Sequence, residues 1–298
     1  MDDLVLLEYR TAEGEAERSA SLRDINRPDF DMKSHFTNDI LTEIGNWIVA
    51  NKTKSWGVND LMVVDSGQKI RRSFDQFSRE EIIELFKICL AGVDALKEMN
   101  VQKIFVGANI NHDFQDNNEA FLRLHLHVLG LTKDDFAKMK EVKLDELVKN
   151  GLNRDLILDP AIDKFKKSLL GELNDIFGGA LKYEFGIRFS LDNIDPEILA
   201  DNIKIIDQKI AKVFSSLSYS LCLVIDSSKV HLNISPRSVF GKGVLESEGI
   251  LLKRDKNIKF STEQKKEKIE FLKKTYEKLS SKFADIKKGA YLKEKGEI

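Results

Sequence analysis

The segment Phe121-Leu122-Arg123-Leu124-His125-Leu126-His127-Val128-Leu129-Gly130 holds two of the chain's five histidines, two positions apart. Polar and apolar residues alternate through it, the pattern of a half-buried strand. Leu122, Leu124, Leu126 and Val128 would then enter a core, and Arg123, His125 and His127 would share the other face. A guanidinium and two imidazoles in a row could hold a phosphate and attack it. Two further readings stay open from the residues alone. The face could be a plain polar surface, or the imidazoles could share a metal ion, with His112 and Asp113 approaching from a loop. No Cys, Asp or Glu lies at close spacing to complete such a set, so no metal and no other cofactor is expected.

The elements around this strand must position it. A strand is expected over Leu4 to Tyr9, a helix over Asn38 to Ala50, and a short buried strand at Leu61-Met62-Val63-Val64, followed by a turn at Asp65-Ser66-Gly67-Gln68. Ser78-Arg79-Glu80-Glu81 carries the capping-box pattern that opens a helix. Ile82, Leu85, Phe86, Cys89, Val93 and Leu96 recur behind it at helical spacing. Lys103 to Ile110 reads as a strand, and Asn111 to Glu119, rich in Asn and Asp, as a loop. Lys69, Arg71 and Arg72 precede the helix and could reach a phosphate or line a solvated turn. Residues 132–180 read as mostly helical and charged, with a break near Asp159-Pro160 and an end at Gly178-Gly179. The same order then returns. Tyr183 to Leu191 alternates like a strand. Asp195-Pro196-Glu197 opens a helix with apolar residues Ile198, Leu199, Ile203, Ile206, Ile210 and Val213. Ser220 to Ile225 and Val230 to Ser235 read as strands around a turn at Asp226-Ser227-Ser228. A final Lys- and Glu-rich helix is expected over Thr262 to about Phe283, as a solvated face. Gly241-Lys242-Gly243 reads as a hairpin turn, since it lacks phosphate-loop spacing.

Leu124-His125-Leu126-His127-Val128-Leu129-Gly130 resembles the signature of the histidine-triad superfamily, His-x-His-x-His followed by apolar residues. Phe74-Asp75-Gln76-Phe77-Ser78-Arg79-Glu80-Glu81 looks like the segment leading into that fold's helix. Val106-Gly107-Ala108-Asn109-Ile110-Asn111 looks like its strand ending in an asparagine near the nucleotide. The resemblance covers roughly residues 58–130. The second strand–helix–strand–strand series, with Val230-His231-Leu232-Asn233-Ile234-Ser235-Pro236-Arg237, is similar to the closing strands of the duplicated branch. That branch holds the galactose-1-phosphate uridylyltransferases and diadenosine tetraphosphate phosphorylases.

The resemblance implies an α+β protein of two histidine-triad-like units, each an antiparallel sheet with a long packed helix, plus a helical insertion and a C-terminal helix. Residues 1–150 would form the unit with the site, and 151–298 a degenerate second unit. His125 falls at the middle histidine, the family's nucleophile, and would form a covalent nucleotidyl-histidine at the α-phosphorus of a nucleoside phosphate. Its ordinary pKa of about 6.5 leaves the ring largely neutral at neutral pH, and the family usually fixes the tautomer through a backbone carbonyl. His127, at the third position as in hydrolase-like members, would donate to phosphate oxygens. Asn109, Asn111, Arg71 and Arg72 would contact the nucleotide or its phosphates.

Two positions depart from the pattern. Arg123 stands at the first histidine, where it could clamp a phosphate but not donate a proton. Ala120 stands where a phosphate-binding serine often precedes the triad. In the second unit His231, Asn233 and Ser235 take the matching places, and Asn233 cannot act as a nucleophile. The implied activity is nucleotidyl transfer, phosphorolysis or hydrolysis of a nucleotide or dinucleoside polyphosphate, and a homodimer is consistent with it. A nucleotide-binding module without catalysis, or a structural partner with a vestigial site, stays open.

Composition narrows the alternatives. Of 298 residues 42% are hydrophobic, ample for a core. Lys+Arg 47 against Asp+Glu 49 gives a net charge of −2, which argues against an extended nucleic-acid surface. The beginning lacks a signal-peptide pattern and no run nears the ~20 apolar residues of a membrane span, so a cytoplasmic protein without membrane contact is expected. Cys89 and Cys222 lie in apolar segments and read as buried thiols. His35 and His231 read as structural.

Overall fold

The computed structural model describes residues 40–51, 60–67, 69, 71–98, 101–110, 123–131, 139–142, 160–183, 186–214, 217, 219–226, 229–236 and 251–254. The class is α+β. Nine strands form one antiparallel sheet: β1 (Ile40–Ile44), β2 (Trp47–Asn51), β3 (Asp60–Asp65), β4 (Lys103–Ile110), β5 (His125–Leu131), β7 (Leu181–Tyr183), β8 (Gly186–Leu191), β9 (Tyr219–Asp226) and β10 (Val230–Pro236). β6 (Met139–Val142) pairs separately with β11 (Leu251–Arg254). Three helices lie among the described residues: α1 (Arg79–Lys97), α2 (Pro160–Leu173) and α3 (Pro196–Val213). None is long and apolar enough to cross a membrane.

The sheet order is β1-β2-β3-β5-β4-β9-β10-β8-β7. The strand–helix–strand–strand series thus occurs as β3-α1-β4-β5 and as β8-α3-β9-β10. The two halves meet where β4 pairs with β9, from Lys103 opposite Asp226 to Ile110 opposite Tyr219. Strands of both halves therefore lie in a single sheet.

Period-two alternation decides which residues reach the helices. Leu61, Val63, Val106, Leu126, Val128, Leu221, Leu223, Leu232 and Ile234 point to one face and join the buried residues of α1, α2 and α3 in one core. Ser78 caps α1. Its hydroxyl accepts the Glu81 N–H at 3.2 Å while the Glu81 carboxylate accepts the Ser78 N–H at 2.9 Å, which closes the expected capping box. Gly92 brings α1 down beneath the histidine strand, since a Cβ there would lie 3.3 Å from Leu61 Cδ1 and 3.4 Å from Val128 Cγ1. Asp195 caps α3 through the N–H groups of Glu197 and Ile198, with Pro196 in the first turn, as expected.

Three expectations need correction. A helix is expected over 38–50, and the described residues 40–50 do not form one. β1 and β2 form a hairpin through Gly45 and Asn46, with Gly45 at φ +51°. The run Trp47-Ile48-Val49 is aromatic and β-branched, and a two-residue Gly-x loop matches the twist of a hairpin. Residues 132–180 include a strand, β6, stabilised by a partner more than a hundred residues away that local periodicity does not see. On α3, Ile198 and Val213 are exposed while Leu199, Ile203, Ile206 and Ile210 are buried. The strand expected at Leu4–Tyr9, His35, the Asn111–Glu119 loop with Asn111, His112 and Asp113, Ala120, Gly241–Gly243 and the Thr262–Phe283 helix lie outside the described residues.

Candidate functional site

β5 lies between β3 and β4. Val64 stands opposite His125 and Met62 opposite His127 on one side, and Gly107 stands opposite His127 on the other. Leu124, Leu126 and Val128 are fully buried toward the helices, and the two histidines are half-buried on the opposite face. Their rings meet edge to face, with centroids 5.1 Å apart at 78°. Asn109 lies two positions beyond Gly107 on β4, paired with Ser220 of β9.

His125 Nδ1 lies 3.0 Å from the carbonyl oxygen of Arg123. A carbonyl only accepts, so Nδ1 carries the hydrogen. In the neutral ring the lone pair is then on Nε2. The structure thus assigns His125 the tautomer a nucleophile, a base or a metal ligand would use through Nε2.

Arg123 sits just before β5 and is 7% exposed. Its Nη1 donates to the carbonyl oxygens of Gly67 and Lys69, the latter at 3.1 Å, and lies 3.6 Å from Asp65 Oδ2. Burial pushes its pKa below the ordinary arginine value; Asp65 opposes this and Arg71 adds to it. Arg71 donates to Asp65 from Nε at 3.2 Å and from Nη2 at 2.6 Å, and to Glu81 from Nη1 at 2.7 Å. Its guanidinium lies 3.8 Å over the Phe77 ring. Burial works downward on Arg71, but its hydrogen bonds to the Asp65 and Glu81 carboxylates, with their charges, outweigh it and raise the pKa. Burial alone would raise Glu81, yet Arg71, the Ser78 N–H and Asn46 together hold it below the usual carboxylate range. The anions on Arg71 in this structure are therefore two carboxylates. The Arg72 N–H donates to Gln76 Oε1 at 2.5 Å.

Asp65 is the residue that sequence reasoning missed. It is fully buried at the end of β3 and gathers Arg71, the Gly67 N–H at 3.0 Å and the Arg123 guanidinium. Its backbone N–H donates to Leu124 O at 3.2 Å, and the Leu124 N–H donates to Arg71 O at 2.7 Å. The turn after β3 is thus laced to the beginning of the histidine strand. An acidic residue directly after the apolar run Leu61–Val64, six residues before an arginine, was the available signal.

No protein-family model matches the chain. No curated protein matches it either. Solved structures do. A DUF4931 family protein from Bacillus cereus is similar at 14% identity and a TM-score of 0.42, over 79% of this chain and 99% of that one. Yeast Ap4A phosphorylase Apa2 in complex with AMP is similar at 13% identity and 0.38, over 78% of this chain and 70% of that one. A uridylyltransferase mutant is similar at 14% identity and 0.33, over 74% and 76%.

On β10, Asn233 is fully buried between Arg188 of β8 and Cys222 of β9. Arg188 Nε donates to Asn233 Oδ1 at 2.8 Å, and the guanidinium lies 4.8 Å from the Tyr183 ring centre. His231 and Ser235 flank it, half-buried and buried. Among the described residues no group of three or more His, Cys, Asp or Glu is placed to hold a metal ion.

Proposed function

We propose that this chain transfers, phosphorolyses or hydrolyses a nucleotidyl group, with His125 as the nucleophile. The observation that carries the reading is the Nδ1–H bond to the Arg123 carbonyl, which puts the lone pair of the neutral ring on Nε2, on a half-buried strand face. Nε2 attacks the α-phosphorus, the P–O bond to the leaving group breaks, and the nucleotidyl group rests on His125 while Nδ1 keeps its hydrogen on the carbonyl. Water, phosphate or a phosphate ester then attacks the same phosphorus and frees Nε2. His127 donates to phosphate oxygens, and Gly107 opposite it adds no side chain. Asn109, Asn111, Arg71 and Arg72 are the proposed contacts to the nucleotide and its phosphates.

Arg123 supports one class of substrate over others. An arginine gives up no proton near neutral pH, so the leaving group must depart as a stable anion. A phosphoanhydride meets that requirement, and a nucleotide or dinucleoside polyphosphate is the substrate class. The two strand–helix–strand–strand halves are read as two histidine-triad-like units, divided near residue 150, of which only the first carries a nucleophile. His125→Ala is expected to abolish turnover of AMP-containing anhydrides such as Ap4A, with the circular dichroism spectrum and urea midpoint kept. Turnover at the unaltered rate would refute the proposal. The engagement of Arg123 with Gly67 and Lys69 favours a second reading, a nucleotide-binding protein without catalysis. Binding without turnover by the unaltered chain selects it.

A further inference from the structure

We infer that Asp65, Arg71 and Arg123 are positioning residues that set the tautomer of His125 by holding the Arg123–Leu124 peptide plane. The Arg123 carbonyl that accepts from His125 and the Leu124 N–H belong to one planar, trans peptide unit, so fixing one fixes the other. That N–H is held by Arg71 O at 2.7 Å. Arg71 is itself held through its side chain by both carboxylate oxygens of Asp65, at 2.6 and 3.2 Å. At the other side of the same peptide, the Arg123 side chain grips the Gly67 and Lys69 carbonyls. The following carbonyl, Leu124 O, accepts the Asp65 N–H at 3.2 Å. The carbonyl facing His125 therefore cannot turn without breaking a network centred on one fully buried carboxylate.

This gives the arginine at the first triad position a purpose that needs neither a proton nor a phosphate. It ties the beginning of the strand to the preceding turn, and two guanidinium charges beside Asp65 and Glu81 leave the cluster balanced. Loss of the Asp65 charge leaves one buried and one half-buried guanidinium with a single carboxylate, Glu81, and the turn carrying Gly67, Lys69 and Arg71 loses its anchor.

The catalytic consequence rests on the reading of His125 as the nucleophile, but the tautomer does not, and the two are measured separately. In the ligand-free full chain, nitrogen-15 NMR of the histidine rings at a pH where His125 is neutral is expected to show Nδ1 protonated and Nε2 unprotonated. Asp65→Asn and Arg123→Met are each expected to populate the Nε2–H form. Tyr219→Phe removes a buried hydrogen bond elsewhere and is expected to leave the His125 signals unmoved. With an active substrate, the two variants are expected to lose up to about a hundredfold in kcat with little change in KM, as for a displaced reacting group. If Asp65→Asn does not fold, Arg123→Met carries the test alone. An intact Nδ1–H form in every folded variant, or an Nε2–H form in the unaltered chain, overturns the inference. The expected tautomer shifts in a chain without turnover support the positioning role and reject the proposed activity.

Discussion

Asp207 gives the sharpest pH prediction. It sits on α3, 2% exposed, where Tyr219 Oη donates to its Oδ1 at 2.7 Å and the Asp75 N–H donates to its Oδ2 at 2.9 Å. The three residues tie α3 to β9 and to the turn before α1. Burial pushes the carboxyl up to about 6 from 3.8; the bonds from Tyr219 and the Asp75 N–H hold it back, and the Asp75 carboxyl adds to the rise. The folded state thus binds the proton more tightly than the unfolded chain does. That stabilisation is full below about pH 3.8 and is lost as pH rises through 6. At about 1.4 kcal/mol per pH unit it amounts to about 3 kcal/mol. Asp207→Asn stays neutral throughout, at a cost of about 1–3 kcal/mol because its amide cannot accept from both donors. Urea unfolding of both chains at pH 4, 5, 6 and 7 checks this. The stability of the unaltered chain minus that of the variant is expected to fall by about 2.4 kcal/mol from pH 4 to pH 7, since Asp207 is already partly ionised in the unfolded chain at pH 4. A difference that stays flat from pH 4 to 7 refutes the assignment.

Other expectations concern the scaffold. Ser78→Ala breaks the capping box of α1 and is expected to lower stability by about 1 kcal/mol in urea unfolding, with Ser78→Asp recovering most of it. Burial alone pushes the Cys89 thiol well above its ordinary value, so an aromatic disulfide reagent is expected to modify it only at the rate of unfolding; rapid reaction in native buffer contradicts its place in the core. Leu126→Ala empties a fully buried position beneath the two histidines and is expected to cost about 2–5 kcal/mol in the same urea assay.

Much of this architecture is written in local sequence. The capping box at Ser78 and Glu81 marks the start of α1, and β4 spans the Lys103–Ile110 range that its apolar run predicts. Period-two alternation places His125 and His127 on the face away from the helices, because Leu124, Leu126 and Val128 must be buried. It does not place the Arg123 guanidinium. That residue precedes the strand, and its long side chain reaches across to a turn some 55 residues earlier. Asp65 looked like turn chemistry, which it is through Gly67, but the Arg71 pair and the link to Leu124 exist only once β3 lies beside β5. The Asp75–Asp207 bond spans 132 residues and leaves no local trace. The segment expected as a helix instead pairs β1 with β2, through the Gly45-Asn46 turn and the β-branched run after it.

The most direct measurement is a mass spectrum of the intact chain after brief incubation with Ap4A, quenched at alkaline pH where a phosphoramidate at histidine survives. A mass increase of one nucleotidyl group is expected, mapped to the peptide containing His125 and absent from His125→Ala. Turnover of Ap4A with no adduct, or an adduct that persists in His125→Ala, would contradict it.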